Sequence, residues 1–88
     1  MFEWDKKKNH ILKKTRNITF EEIIEAIEND QIVGIEVSKK YPHQSILCIK
    51  VRGYIYAVPI EERGNNIRLV TAFKDRRLNK KYGMDDNE

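Results

Sequence analysis

Ile46-Leu47-Cys48-Ile49-Lys50-Val51 and Tyr54-Ile55-Tyr56-Ala57-Val58-Pro59-Ile60 flank Arg52-Gly53, and the reading of this stretch decides the fold. Both runs are rich in β-branched and aromatic residues. The two-residue link carries glycine where a tight hairpin needs positive φ. Val51 is therefore expected to face Tyr54, and side-chain alternation supplies the rest of the register. Leu47, Ile49 and Val51 align with Tyr54, Tyr56 and Val58 on one face, while Ile46, Cys48 and Lys50 align with Ile55, Ala57 and Pro59 on the other. The first face is the better core. Pro59 removes a ladder donor and signals a bulge or the end of the strand.

Working outward, 32–37 and 67–73 (or 74) have the same strand-like composition, and the turn residues Gly64, Asn65 and Asn66 close a second hairpin. Continued alternation places Ile67, Leu69, Thr71 and Phe73 on the core face and Arg68, Val70, Ala72 and Lys74 outward. Upstream, Thr19 and Glu22 form a capping box, Ile18 can staple onto Ile23, and Phe20, Ile23, Ile24 and Ile27 share one side of a helix. Glu21, Glu25 and Glu28 lie on its solvated side and carry no chemistry. A shorter helix is expected over 5–14, with Trp4, Ile11 and Leu12 turned inward.

The expected fold is α+β: two N-terminal helices on one face of a four-stranded antiparallel sheet, followed by a basic C-terminal segment. Eighty-eight residues suffice for one domain, read as 1–82, with 83–88 as a disordered acidic tail. The second sheet face combines Ile46, Cys48, Ile55, Ala57, Pro59, Val70 and Ala72 with Lys50, Arg68 and Lys74. It should be covered by a C-terminal helix or by another protein.

Composition excludes several classes. With 35% charged residues, no apolar run long enough to span a bilayer and no signal-peptide pattern at the start, the expected setting is cytoplasmic, without a membrane. The single Cys48 forms no intrachain disulfide, and two histidines, His10 and His43, offer no zinc-ligand spacing. The net charge of +3 is strongly segregated: 19–36 carry −6 and 67–82 carry +5. Such segregation suits one face that attracts a polyanion and one that repels it.

Lys74, Arg76, Arg77, Lys80 and Lys81 fall within eight residues and are followed by Tyr82. Cations so spaced can converge on phosphate oxygens, and Arg has the forked geometry that fits them. Tyr41, Tyr54 and Tyr82 could stack on bases, whereas Tyr56 belongs to the core. RNA cleavage would further require proton transfer to and from the 2′ and 5′ oxygens, by a Lys of depressed pKa, a Tyr, or His43 in the turn Tyr41-Pro42-His43-Gln44. Cys48 reads as a small packing residue.

The opening Phe2-Glu3-Trp4-Asp5, with Lys8, Lys13-Lys14 and Ile18-Thr19-Phe20-Glu21-Glu22, resembles the start of BrnT-like toxins of type II toxin–antitoxin systems. Tyr41-Pro42-His43-Gln44, Tyr54-Ile55-Tyr56-Ala57-Val58-Pro59 and Thr71-Ala72-Phe73-Lys74-Asp75-Arg76-Arg77 with Lys80-Lys81-Tyr82 extend the likeness, as to a divergent branch, over residues 2–82. Lys14-Thr15-Arg16-Asn17 stands where many such toxins have Lys-His-Gly, and Thr71-Ala72-Phe73 where they have Ser-Ala-Arg. The resemblance implies a RelE-like fold and a metal-independent endoribonuclease, an mRNA interferase without cofactors that inhibits translation, on or off the ribosome. It further implies neutralisation by a cognate antitoxin, often of ribbon-helix-helix type. The resemblance maps the family's basic motif onto Arg76 and Arg77, and with the reading of the residues above the expected catalytic set is Arg76, as the main phosphate contact, with Lys74, Arg77, Tyr82 and His43. Lys50, Arg52, Arg68, Lys80 and Lys81 are the RNA contacts, and Ile46, Ile55, Ala57 and Val70 form the antitoxin interface. Two other readings stay open: a noncatalytic RNA- or protein-binding module using the same basic surface, and a structural subunit whose open sheet face is its whole function.

Overall fold

A computed structural model describes residues 1–83. Its elements in chain order are β1 (Phe2–Glu3), α1 (Lys6–Arg16), α2 (Phe20–Glu28), β2 (Ile32–Val37), β3 (Ser45–Val51), β4 (Tyr54–Arg63), β5 (Asn66–Leu69), β6 (Phe73–Lys74) and α3 (Arg76–Lys81). The class is α+β, as expected. The sheet, however, has six strands rather than four and is mixed rather than antiparallel, in the order β1-β5-β4-β3-β2 with β6 also on β4. Of the two extra strands, β1 is two residues long, too short for alternation to reveal, and β6 is the end of the expected fourth strand, split off from β5. One of them, β1, pairs parallel to β5 through Phe2 and Ile67.

The central hairpin forms in the expected register, with Val51 opposite Tyr54 and Leu47 opposite Val58. Arg52 (φ 52°) and Gly53 (φ 78°) are both left-handed, as a two-residue turn matched to strand twist demands. The Thr19–Glu22 capping box is complete: Glu22 N–H donates to Thr19 Oγ1 at 3.1 Å and Thr19 N–H donates to Glu22 Oε1 at 2.9 Å. It starts α2 where Phe20, Ile23 and Ala26 can turn onto the sheet. They join Leu12, Ile18, Leu47, Ile49, Val51, Tyr56, Val58 and Leu69 in the main core. Each large aliphatic or aromatic side chain buried there contributes about 1.5–3 kcal/mol before entropy costs. In α1, capped by Asp5, Leu12 alone is buried, and Ile11 points to solvent rather than inward. Trp4, just before the helix, packs its ring on Phe20 at 5.8 Å between centroids.

The last expected strand breaks. Leu69 faces Ile60 and Phe73 faces Ala57, so four steps along one strand oppose three along the other. This surplus residue lies beside Pro59, which has no N–H to offer the ladder and accepts from Val70 N–H at 2.9 Å. A surplus of one inverts the alternation. Ala72 is therefore buried in the helix-side core, and Phe73 packs instead with Cys48, Ile55, Ala57 and Leu78 on the opposite face.

That opposite face is covered within the chain. The basic C-terminal segment is a third helix, and its Leu78 closes the second cluster. Buried Asn79 accepts from Ile55 N–H at 2.9 Å, fastening α3 to β4. Of the expected acidic tail, Gly83 is a turn residue at φ 78°, and the rest lies outside the described residues. No helix among the described residues is long and apolar enough to cross a membrane.

Candidate nucleic-acid interface

The C-terminal end of α1, the β3–β4 turn and β6 meet around a cleft of about 460 Å³ lined by Arg16, Asn17, Val51, Arg52, Gly53, Tyr54, Tyr56 and Lys74. Three cations reach it from three separate parts of the chain. Arg16, in the last turn of α1, donates through Nη1 to Ala72 O at 2.9 Å and to Thr71 Oγ1 at 3.3 Å, with its guanidinium 5.9 Å from the Phe73 ring centroid. Arg52 donates to Asn17 O at 2.8 Å and lies 3.6 Å from Glu22. Lys74 Nζ sits 5.3 Å from the Tyr54 ring centroid. Tyr56 is almost wholly buried and forms floor, whereas Tyr54 is only half-buried.

Local sequence explains the convergence. Asn17 takes the left-handed conformation (φ 54°) that ends α1, and its N–H closes on Lys13 O at 3.2 Å. This turn presents the Asn17 carbonyl to Arg52, whose own left-handed turn swings it toward α1. Lys74 arrives through the bulge, because uninterrupted alternation would have sent it to the α3 side. Arg16 and Arg52 keep exposed guanidinium surface, so a phosphodiester can approach with Tyr54 beside it as a stacking platform.

The remaining expected site residues do not gather there. Arg76 is exposed at the start of α3, outside this cleft. Arg77 lines a separate groove with Glu36, Lys39 and Lys40. Lys80 is exposed. Lys81 and Tyr82 both bind Glu36, at 2.6 Å and 2.8 Å, and this hydrogen bond pushes the Tyr82 phenol up to about 12. His43 lies 3.1 Å from Glu61 at the other end of the sheet. Arg68 pairs with Glu3 at 3.6 Å, and Lys50 lines a groove with Glu22 and Glu25. Of the expected antitoxin contacts, Ile55 and Ala57 are buried beneath α3. Ile46 and Val70 instead share a wider, mainly apolar cleft of about 600 Å³ with Tyr41, Pro59 and Phe73. Cys48 packs in the second cluster, where burial pushes its thiol up.

Arg16 is the residue that sequence reasoning missed. Its signal was positional: it stands in Lys14-Thr15-Arg16-Asn17, one of the two departures from the toxin pattern, and its partners Thr71, Ala72 and Phe73 are the other departure. No family model matches the chain, and a search of curated proteins finds no match either.

Proposed function

We propose that this chain is an RNA-directed toxin of the RelE-like, BrnT-related kind, acting in the cytoplasm and held in check by a protein antitoxin. The observation that supports this reading is the meeting of Arg16, Arg52 and Lys74 at one cleft flanked by Tyr54. In this reading the cleft grips the RNA backbone, and its cations offset the charge that builds on phosphorus as the 2′ oxygen attacks. Arg16 reaches from α1 to the strand where the likeness expects an arginine, so a guanidinium reaches the same neighbourhood by another route. The acidic side of α2 turns RNA away and orients the approach. Arg77, Lys39 and Lys40 extend the basic surface toward the antitoxin, whose contact runs over Ile46 and Val70.

Expression of the chain alone, and together with its neighbouring small reading frame, tests this. Growth arrest with RNA cleavage, relieved by co-expression, is the expected result. Normal growth with intact RNA under strong induction would overturn the toxin reading. A second reading, a noncatalytic RNA-binding module, is favoured by one observation: His43 and Tyr82, the expected proton carriers, are bound to Glu61 and Glu36 away from the cleft. Salt-sensitive RNA binding by a chain that leaves RNA intact would select it.

A further inference from the structure

Strand β2 ends the sheet, and its outer edge pairs with no other strand among the described residues. Edges of this kind are normally blunted by charge, proline or a covering element. Here Ile35 is 66% exposed and Val37 82% exposed, both on the helix side of the sheet opposite Leu47 and Ser45. The helix layer stops short of them, because α2 packs chiefly over β3. The bulge between Ile32 and Gly34 interrupts only the start of β2, and 34–37 run regularly.

The charges flanking this edge specify what can pair with it. Glu28 and Asp30 precede β2, Lys39 and Lys40 follow it, all four are exposed, and none forms an ion pair among the described residues. An antiparallel strand of opposite polarity in charge is required: cations where this chain has Asp30 and anions where it has Lys40. A second copy of β2, turned through a two-fold axis, carries that pattern. We infer that β2 is a self-pairing edge, joining two copies of this chain antiparallel with Ile35 opposite Ile35 of the second copy.

Neighbouring registers fare worse. With Ile35 at the axis, Gly34 meets Glu36 within the regular part of the strand, and the acidic end of each β2, at Glu28 and Asp30, lies toward the basic end of the other copy, at Lys39 and Lys40. Centring on Glu36 would set two carboxylates face to face, and a shift that pairs residues of opposite parity would turn the apolar strip of one copy to the wrong side. Parallel pairing would stack Asp30 on Asp30 and Lys40 on Lys40. The selected arrangement continues one sheet through both copies and leaves both helix layers on the same side.

A contact along one short strand edge is small beside the roughly 2,000 Å² and more of permanent interfaces, so the dimer is expected to be reversible and is read by sedimentation velocity up to about 300 µM. A concentration-dependent dimer is expected, and a monomer throughout would overturn the inference. Ile35→Lys should weaken association at least about tenfold with an unchanged circular dichroism spectrum, since the position is already exposed; undiminished association would overturn it. Should Ile35→Lys fail to fold, Val37→Lys makes the same test. Lys40→Glu should weaken the dimer, and adding Asp30→Lys should restore it. Folding of that double variant is checked first, because residue 30 has left-handed backbone (φ 59°). A folded double variant no better than Lys40→Glu alone would overturn the pairing.

Discussion

The Tyr82 hydroxyl donates to Glu36 Oε2 at 2.8 Å, directly over Gly34, so that the end of α3 is latched to β2 where the strand has no side chain. Lys81 holds the same carboxylate oxygen at 2.6 Å. A Cβ at position 34 would collide with the Tyr82 hydroxyl and ring. Gly34→Ala should therefore expel the Tyr82 ring and cost about 1–3 kcal/mol. In a Tyr82→Ala background the same substitution should be nearly free, and a double-mutant cycle by urea denaturation measures the difference.

The latch also sets a pH response. Hydrogen bonds from Lys81 and then Tyr82 hold the Glu36 carboxyl below its ordinary 4.5, so its stabilising contribution is present above that value and disappears as pH falls through the lowered one. The Tyr82 phenol, raised from 10.0 to about 12 chiefly by its bond to Glu36, stabilises below pH 10 and loses that contribution as pH climbs toward 12. Thermal melts should thus lose less on acidification in Glu36→Gln than in the parent. A phenolate titration at 295 nm should lack a step near pH 12 in Tyr82→Phe.

Asn79 is the buried polar tie between α3 and the sheet, accepting from Ile55 N–H. Asn79→Leu would fill similar space but leave that donor without a partner, at a cost of about 1–3 kcal/mol. Hydrogen exchange should show faster exchange at the Ile55 amide and along α3, with the α1–α2 core less affected.

For the cleft, Arg52→Ala and Lys74→Ala should each weaken RNA binding and lower the salt dependence of affinity by about one phosphate contact. Arg76→Ala, outside the cleft, should do less. Fluorescence anisotropy with a short single-stranded RNA at several salt concentrations ranks them, and an Arg76 effect larger than that of Lys74 would return the phosphate site to α3.

Most of the scaffold is legible in the sequence because it rests on local signals. Thr19 with Glu22 starts α2, Arg52-Gly53 sets the hairpin, and the alternation on either side chooses which residues face the helices. The candidate site was legible only in part, through Arg52, Lys74 and Tyr54.

What the sequence determined by itself is this helix-and-hairpin core, since caps, turns and alternation act between residues close along the chain. Only the tertiary structure decided where the cations meet. One surplus residue opposite Pro59 carried Lys74 to the helix side, an N-terminal helix end brought Arg16 against Ala72, and a short helix closed the face left open by the strands. Those outcomes depend on pairings between distant segments, and a bulge that inverts alternation leaves little local trace.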